Sequence, residues 1–130
     1  MKNIFTVILI LSTFIYLAGC SKQDKGTGPV KELKLGEIDK NMASEGEVLF
    51  QKKCNTCHKL DTKMVGSALR GITNRRTPEW IMNMMLNPDG MIENNKAAKE
   101  LFEELKVRMN PRDLNESEAR KILEYLRTEN

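Results

Sequence analysis

The chain has 130 residues, of which 40% are hydrophobic and 30% are charged, and its formal net charge is +3. This length suits one small domain. The near balance of acidic and basic side chains gives no support to nucleic-acid binding. No sequence repeat or low-complexity tract suggests a solenoid or a fibrous protein.

The first segment has the features of an export signal. A basic residue precedes an apolar run over residues 4–17, which is shorter than the ~18–20 residues of a membrane-spanning helix. The tetrapeptide Leu-Ala-Gly-Cys at 17–20 resembles a bacterial lipobox, in which the cysteine is acylated. We therefore predict a lipoprotein signal peptide at 1–19 and a lipid on Cys20, which anchors the exported protein to a membrane facing the periplasm or another extracytoplasmic space. An ordinary signal peptide with an incidental cysteine is the alternative.

The segment after Cys20 is rich in Lys, Asp, Glu and Gly. Such a composition buries too little apolar surface to order itself. We expect residues 20–41 to hold the lipidated cysteine and a flexible tether, and residues 42–130 to form the folded domain.

The motif Cys54-Asn55-Thr56-Cys57-His58 has the spacing that attaches a c-type haem. Each thiol forms a thioether with one haem vinyl group, and the adjacent imidazole then reaches one axial face of the iron. His58 is the only histidine in the sequence. A zinc site would need two further Cys or His ligands, and a thioredoxin-like motif would need a strand-helix-strand context. The motif therefore predicts one haem c, bound through Cys54 and Cys57, with His58 on the iron.

No stretch of the chain shows the sustained alternation of apolar and polar residues that is typical of a strand. Four N-terminal signals predict the starts of helices: a capping box over 44–47, Thr77 before Pro78, Asn95, and a capping box over 115–118. Asn87-Pro88 should end the second of these helices. About eighteen residues without periodicity separate His58 from Arg76, a length that favours a functional loop. We predict an all-α fold of about four helices around one haem.

Residues 43–127 resemble a class I c-type cytochrome, the small monohaem electron carriers. Gly46 and Phe50 match the first helix of that family, and Leu123, Tyr125 and Leu126 match its closing helix. The resemblance implies that the glycine lets these two helices touch closely.

The haem loop also resembles that family. Gly66-Ser67-Ala68-Leu69 stands where the family usually has Gly-Pro-x-Leu. The resemblance implies that the Ser67 carbonyl accepts the proton of His58 and that Leu69 borders the haem.

The sixth iron ligand is expected to be a methionine, because no second histidine exists. Met109 occupies the position of the family's ligand loop, although the usual Met-Pro becomes Met109-Asn110-Pro111. We favour Met109 and keep Met91 as the next choice. The other methionines after Cys20, which are less suited by position or by a place on a helix, are Met42, Met64, Met82, Met84 and Met85.

The haem propionates need hydrogen-bond donors, and we expect Arg75, Arg76 and Trp80 to supply them. An indole near a propionate also recurs in the family that the chain resembles. The alternative for the two arginines is a solvated surface pair. Residues 52–76 carry seven basic side chains against Asp61 alone, so this basic region could steer acidic redox partners to the haem edge.

We therefore expect a membrane-tethered electron-transfer protein that passes single electrons between redox proteins and has no small-molecule substrate or enzymatic activity. Two alternatives stay open: a ligand-binding or sensory haem protein, and the haem subunit of an oxidase or reductase complex.

Overall fold

The computed structural model describes residues 23–130, and this part of the chain contains helices and loops without a strand. The predicted all-α fold is confirmed. The six helices in residues 23–130 are α1 (Lys40–Lys53), α2 (Ile72–Arg75), α3 (Pro78–Leu86), α4 (Pro88–Asn94), α5 (Lys96–Leu105) and α6 (Glu116–Thr128). No helix in this range is both long enough and apolar enough to cross a membrane. Cys20 and the predicted signal peptide lie outside the described residues.

Helices α1 and α6 form the main packing pair, and they meet at a glycine. A Cβ atom on Gly46 would lie 1.9 Å from the backbone oxygen of Lys121, a separation that no side chain tolerates. Next to this contact the rings of Phe50 and Tyr125 pack with their centroids 5.4 Å apart. The close approach expected of Gly46 is present, and it fixes the end of α1 from which the haem motif continues.

Three of the four predicted helix starts are confirmed. The side chains of Thr77, Asn95 and Asn115 each accept a hydrogen bond from a backbone N–H in the first turn of α3, α5 and α6 respectively. The predicted start at Ser44 is wrong. The N-cap of α1 lies five residues earlier, at Asp39, because the Asp39 carboxylate accepts the N–H of Met42.

Helices α2 and α4 were not predicted, and α2 lies in the stretch that was expected to be a loop between His58 and Arg76. Asn87-Pro88 ends α3 as expected, but the same two residues also begin α4. The Asn87 side chain accepts the N–H of Gly90, and Pro88 takes the first helical position. Proline suits that position because its missing N–H would have no partner in the helix.

Residues 24–39, named here the N-terminal arm, have no regular secondary structure, bend at 27–29 and at 37, and pack on the folded domain. Val30 is 5% exposed, and its N–H donates to Asn83 Oδ1 across 2.9 Å. The Leu33 N–H donates to Glu79. The expectation of a flexible tether is therefore wrong for this part of residues 20–41, since buried polar side chains of α3 satisfy its backbone.

The far end of the arm meets α6 at a buried carboxylate. Glu124 is 0% exposed and accepts hydrogen bonds from Arg120, Arg127 and the Asp39 N–H. Burial alone raises the pKa of this carboxyl, but the two guanidinium groups and the amide outweigh burial and bring the pKa below its usual value.

Candidate haem site

The haem motif is a tight turn directly after α1. The N–H groups of Cys57 and His58 both donate to the carbonyl of Cys54, across 3.0 and 2.9 Å. This turn brings both thiols and the imidazole to the wall of one cavity of about 360 Å³. A cavity of this size is in the range of cofactor pockets.

A hydrogen bond fixes the orientation of the His58 ring. Nδ1 lies 3.0 Å from the carbonyl oxygen of Ser67. Because a carbonyl can only accept, Nδ1 carries the proton and Nε2 keeps a lone pair for a metal. The structure thus contains the bond that the family resemblance implied for Ser67, although serine replaces proline there.

Gly66 holds the ring from the side. A Cβ atom at this position would lie 2.3 Å from His58 Cε1, and the Gly66 N–H donates to the Cys57 carbonyl. Sequence reasoning named this glycine only as part of a loop pattern. Its absent side chain is what lets the loop lie against the imidazole.

Arg75 stabilises the loop that carries Ser67. Its guanidinium donates to the carbonyls of Arg70 and Ala68 across 2.7 and 3.2 Å, and the Leu69 N–H donates to the Lys59 carbonyl. These bonds supply the constraint that a proline ring would give at position 67. Leu69 and Arg75 both line the cavity.

The methionines separate into distinct groups. Met109 lines the cavity, as do Met84 and Met85 of α3. Met91 is 0% exposed, does not line the cavity, and its sulfur accepts the N–H of Thr27 in the arm across 2.9 Å. Met91 is therefore used in packing and is not placed as a ligand.

Met82 and Met64 both lie outside the cavity, the first because it is buried in the core and the second because it is exposed on the surface. Met82 is 1% exposed and belongs to the core, whereas Met64 is 45% exposed. Neither side chain lines the cavity.

Trp80 lines the cavity, but its N–H is already in use. The indole Nε1 donates to Asn95 Oδ1 across 3.1 Å, so the structure does not show the free donor that was predicted for a propionate. The reason is the cap of α5, because the same Asn95 oxygen accepts the Ala98 N–H. Arg76 also lines the cavity, and its guanidinium lies 4.8 Å from the centroid of the Trp80 ring.

The cavity wall is basic and otherwise mostly apolar. Among residues 23–130, no Asp or Glu lines it. The cations that line it are Lys53, Arg75, Arg76, Arg108 and Arg112. Lys53, Arg108 and Arg112 were not predicted as site residues. Arg108 and Arg112 are close to Met109 in the sequence, and this proximity was a signal that could have placed them at the site. Such a wall suits a flat apolar group with anionic substituents, as haem is.

The Cys54 thiol does not have the property that thioredoxin-like redox exchange requires. Burial raises the pKa of the Cys54 thiol to about 11, despite the opposing charges of Lys53 and Arg112, whereas thioredoxin-like chemistry needs a lowered value. In residues 23–130 no group of three or more His, Cys, Asp or Glu side chains could hold a metal ion. The donor set therefore fits a haem, whose porphyrin supplies the remaining ligands.

Comparisons with known proteins agree with this geometry. The family model for cytochrome c matches residues 43–130. Cytochrome c-551 of Bacillus subtilis is 30% identical over 107 residues, which cover 75% of this chain and 91% of that protein. A solved cytochrome c from Rhodothermus marinus is 50% identical, with a TM-score of 0.75 over 78% of this chain and 88% of that one.

A shorter similarity links the chain to cytochrome c2 of Rhodopseudomonas palustris, at 53% identity over 34 residues. This match covers 26% of the chain and 29% of the relative's length. The family model, which spans most of the chain, is the broader finding. The chain belongs to the cytochrome c family of haem electron-transfer proteins, as a class I monohaem c-type cytochrome with one haem c bound covalently through Cys54 and Cys57.

Proposed function

We propose that this protein carries single electrons between redox proteins at a membrane surface, and that His58 and Met109 would hold the haem iron. The bound haem would supply a reversible Fe(III)/Fe(II) couple. The observation that supports the proposal best is the placement of His58 and Met109 in one cavity, while Met91 is bonded to the N-terminal arm.

The protein's part is to hold both ligands and keep water out. The Ser67 carbonyl fixes the tautomer of His58, so that Nε2 keeps a lone pair and would bind the iron as a neutral donor. Met109 would supply a thioether, a soft ligand that favours the reduced iron and would occupy the position that a substrate would need. Apolar side chains of α3, α5 and α6 line the cavity. They lower the local polarity, which would further favour Fe(II) over the more highly charged Fe(III).

Arg75 and Arg76 are proposed to face the propionates. Both line the cavity, and an arginine keeps further N–H donors after the bonds described above. Trp80 then acts as a wall under Arg76, with its N–H reserved for Asn95.

The cellular setting is proposed from the sequence. Acylation of Cys20 would anchor the exported protein to the outer face of a membrane, so that donor and acceptor are redox proteins reached from that side. The cationic side chains at the cavity would favour partners with acidic docking surfaces.

A redox titration combined with carbon monoxide tests this function. Purified holoprotein should titrate as one reversible one-electron couple, and the ferrous spectrum should not change when carbon monoxide is added, because Met109 holds the sixth position. Rapid and stoichiometric carbon monoxide binding by the wild type would overturn the carrier assignment and favour a ligand-binding or sensory protein.

A further inference from the structure

The N-terminal arm is attached to the domain through a buried side chain. Asn83 is 1% exposed, and its amide group donates to the carbonyls of Lys25 and Val30 while its oxygen accepts the Val30 N–H. Gly28 lies so close that a Cβ there would be 2.4 Å from Asn83 Oδ1. A detached arm would remove all three of these hydrogen bonds from the Asn83 side chain.

Two buried carboxylates hold the arm at other points. Glu79, 6% exposed, accepts the Leu33 N–H and pairs with Lys25 at 3.3 Å. Glu124 accepts the Asp39 N–H. Both carboxylates would lose a donor if the arm left the surface, so the arm and the domain form one folded unit.

The arm begins beside the haem cavity. Asp24 accepts hydrogen bonds from Thr77 Oγ through its backbone carbonyl and from Asn95 Nδ2 through its carboxylate, across 2.6 and 2.8 Å. Asn95 also accepts the indole N–H of Trp80, which lines the cavity. A single side chain therefore connects the first docked residue to the cavity wall.

We propose that the lipid at Cys20 holds the domain on a leash of four residues, with the Thr77 and Asn95 ends of α3 and α5 toward the membrane. This inference rests on the lipid anchor of the proposed function. Four residues span at most ~14 Å, whereas a free tether of twenty would have an end-to-end distance of roughly 25 Å and a maximum near ~70 Å. Asp24, which is linked through Asn95 to the cavity-lining Trp80, is thus kept within ~14 Å of the lipid attachment.

This restraint defines the class of redox partner. A domain on such a leash cannot swing outward to meet partners well above the membrane. The geometry points to a donor and an acceptor that are themselves bound to the membrane and present their docking sites close to the lipid headgroups.

Two matched insertions test the leash. A ten-residue Gly/Ser segment is inserted between Gln23 and Asp24, upstream of the docked arm, or between Gly36 and Glu37, within the arm. Gly36 suits the second insertion because a Cβ at this position would meet no atom within 4 Å. Ten added residues lengthen a free tether of twenty from an average of roughly 25 Å to roughly 30 Å, and a leash of four from roughly 11 Å to roughly 21 Å. Only the upstream insertion lengthens a leash that ends at Asp24.

The readout is the distance from haem to membrane. Lipidated holoprotein is bound to phosphatidylcholine/phosphatidylglycerol vesicles with a fluorophore on the headgroup of a trace lipid, and quenching of the fluorophore by the haem is measured. We expect a clear loss of quenching with the insertion before Asp24 and wild-type quenching with the insertion after Gly36. Equal losses with both insertions would overturn the leash.

The Cys20→Ser variant separates this inference from the anchor itself. If wild type and Cys20→Ser both fail to float with vesicles, the lipid anchor is wrong, and the leash falls with it. If only the wild type floats, the insertions decide the leash. Should an insertion variant fail to fold, as judged by its visible spectrum, amide exchange of wild type decides: slow exchange of the Val30 and Leu33 N–H groups supports a docked arm, and exchange at the rate of an unfolded peptide refutes it.

Discussion

Nδ1 of His58 lies 3.0 Å from the carbonyl oxygen of Ser67, at the position of the proline in the Gly-Pro-x-Leu pattern that the sequence resembles. Serine lacks the ring that fixes the backbone, so the loop needs another restraint. The structure supplies it through Arg75, whose guanidinium donates to two carbonyls that follow Ser67, at Ala68 and Arg70.

The Arg75 contacts should matter less when proline is restored. Arg75→Ala removes two hydrogen bonds and should lower the free energy of unfolding by about 1 kcal/mol. In a Ser67→Pro background the ring itself restrains the loop, so the loss should shrink. Chemical denaturation and the reduction potential of all four proteins measure this coupling. Equal losses in both backgrounds would show that Arg75 does not act through the Ser67 loop.

Gly66→Ala should disturb His58 directly. The new Cβ would lie 2.3 Å from Cε1 of a ring whose orientation is fixed by the hydrogen bond to the Ser67 carbonyl. We expect a loss of about 1–3 kcal/mol in unfolding free energy, together with an altered visible spectrum. Gly36→Ala is the control, since its Cβ meets no atom within 4 Å. The account of the ring contact fails if the two variants behave alike.

Gly46→Ala tests the crossing of α1 and α6. Helix propensity alone would stabilise α1 by about 1 kcal/mol. The steric effect has the opposite sign, because the new Cβ would lie 1.9 Å from the Lys121 backbone oxygen, which cannot rotate away. The steric cost, about 3 kcal/mol when helices must move apart, should win. Thermal unfolding at equal haem content should show a lower midpoint, and a raised midpoint would contradict the crossing.

Glu124 should make stability fall in acid. Its pKa in the folded protein is lower than in the unfolded chain, so its contribution is fully present above the unfolded value of about 4.5 and is lost as the pH falls through the lower folded value. Glu124→Gln should cost about 2–3 kcal/mol at pH 7 and weaken the acid dependence. Denaturant titrations between pH 7 and pH 3 provide the measurement. If the unfolding free energy of the variant falls with pH as steeply as that of the wild type, other carboxylates are responsible for the loss of stability in acid.

The sequence was informative where function or local chemistry restricts the residue. The spacing of Cys54, Cys57 and His58 follows from the haem itself. Caps such as Thr77 and Asn115 act within three residues of themselves, so a short window contains their partners.

Contacts between distant residues could not be predicted in this way. The polar composition of the N-terminal arm indicated a tether, because nothing near Val30 shows that Asn83, 53 residues away, will bind its backbone. In the same way Asn95 lies 15 residues from Trp80 and takes the indole N–H that was assigned to a propionate. In both cases a polar side chain on another element met the hydrogen-bonding need.

The most direct test of the central claim is the weak methionine-to-iron(III) charge-transfer band at the red edge of the oxidised spectrum. Wild type should show this band, and Met91→Ala, Met84→Leu and Met85→Leu should retain it. Met109→Ala should lose the band, keep its covalent haem, bind carbon monoxide in the ferrous state and have a lower reduction potential. A Met109→Ala protein that remains low-spin with the band intact would contradict the assignment of Met109 as the sixth ligand.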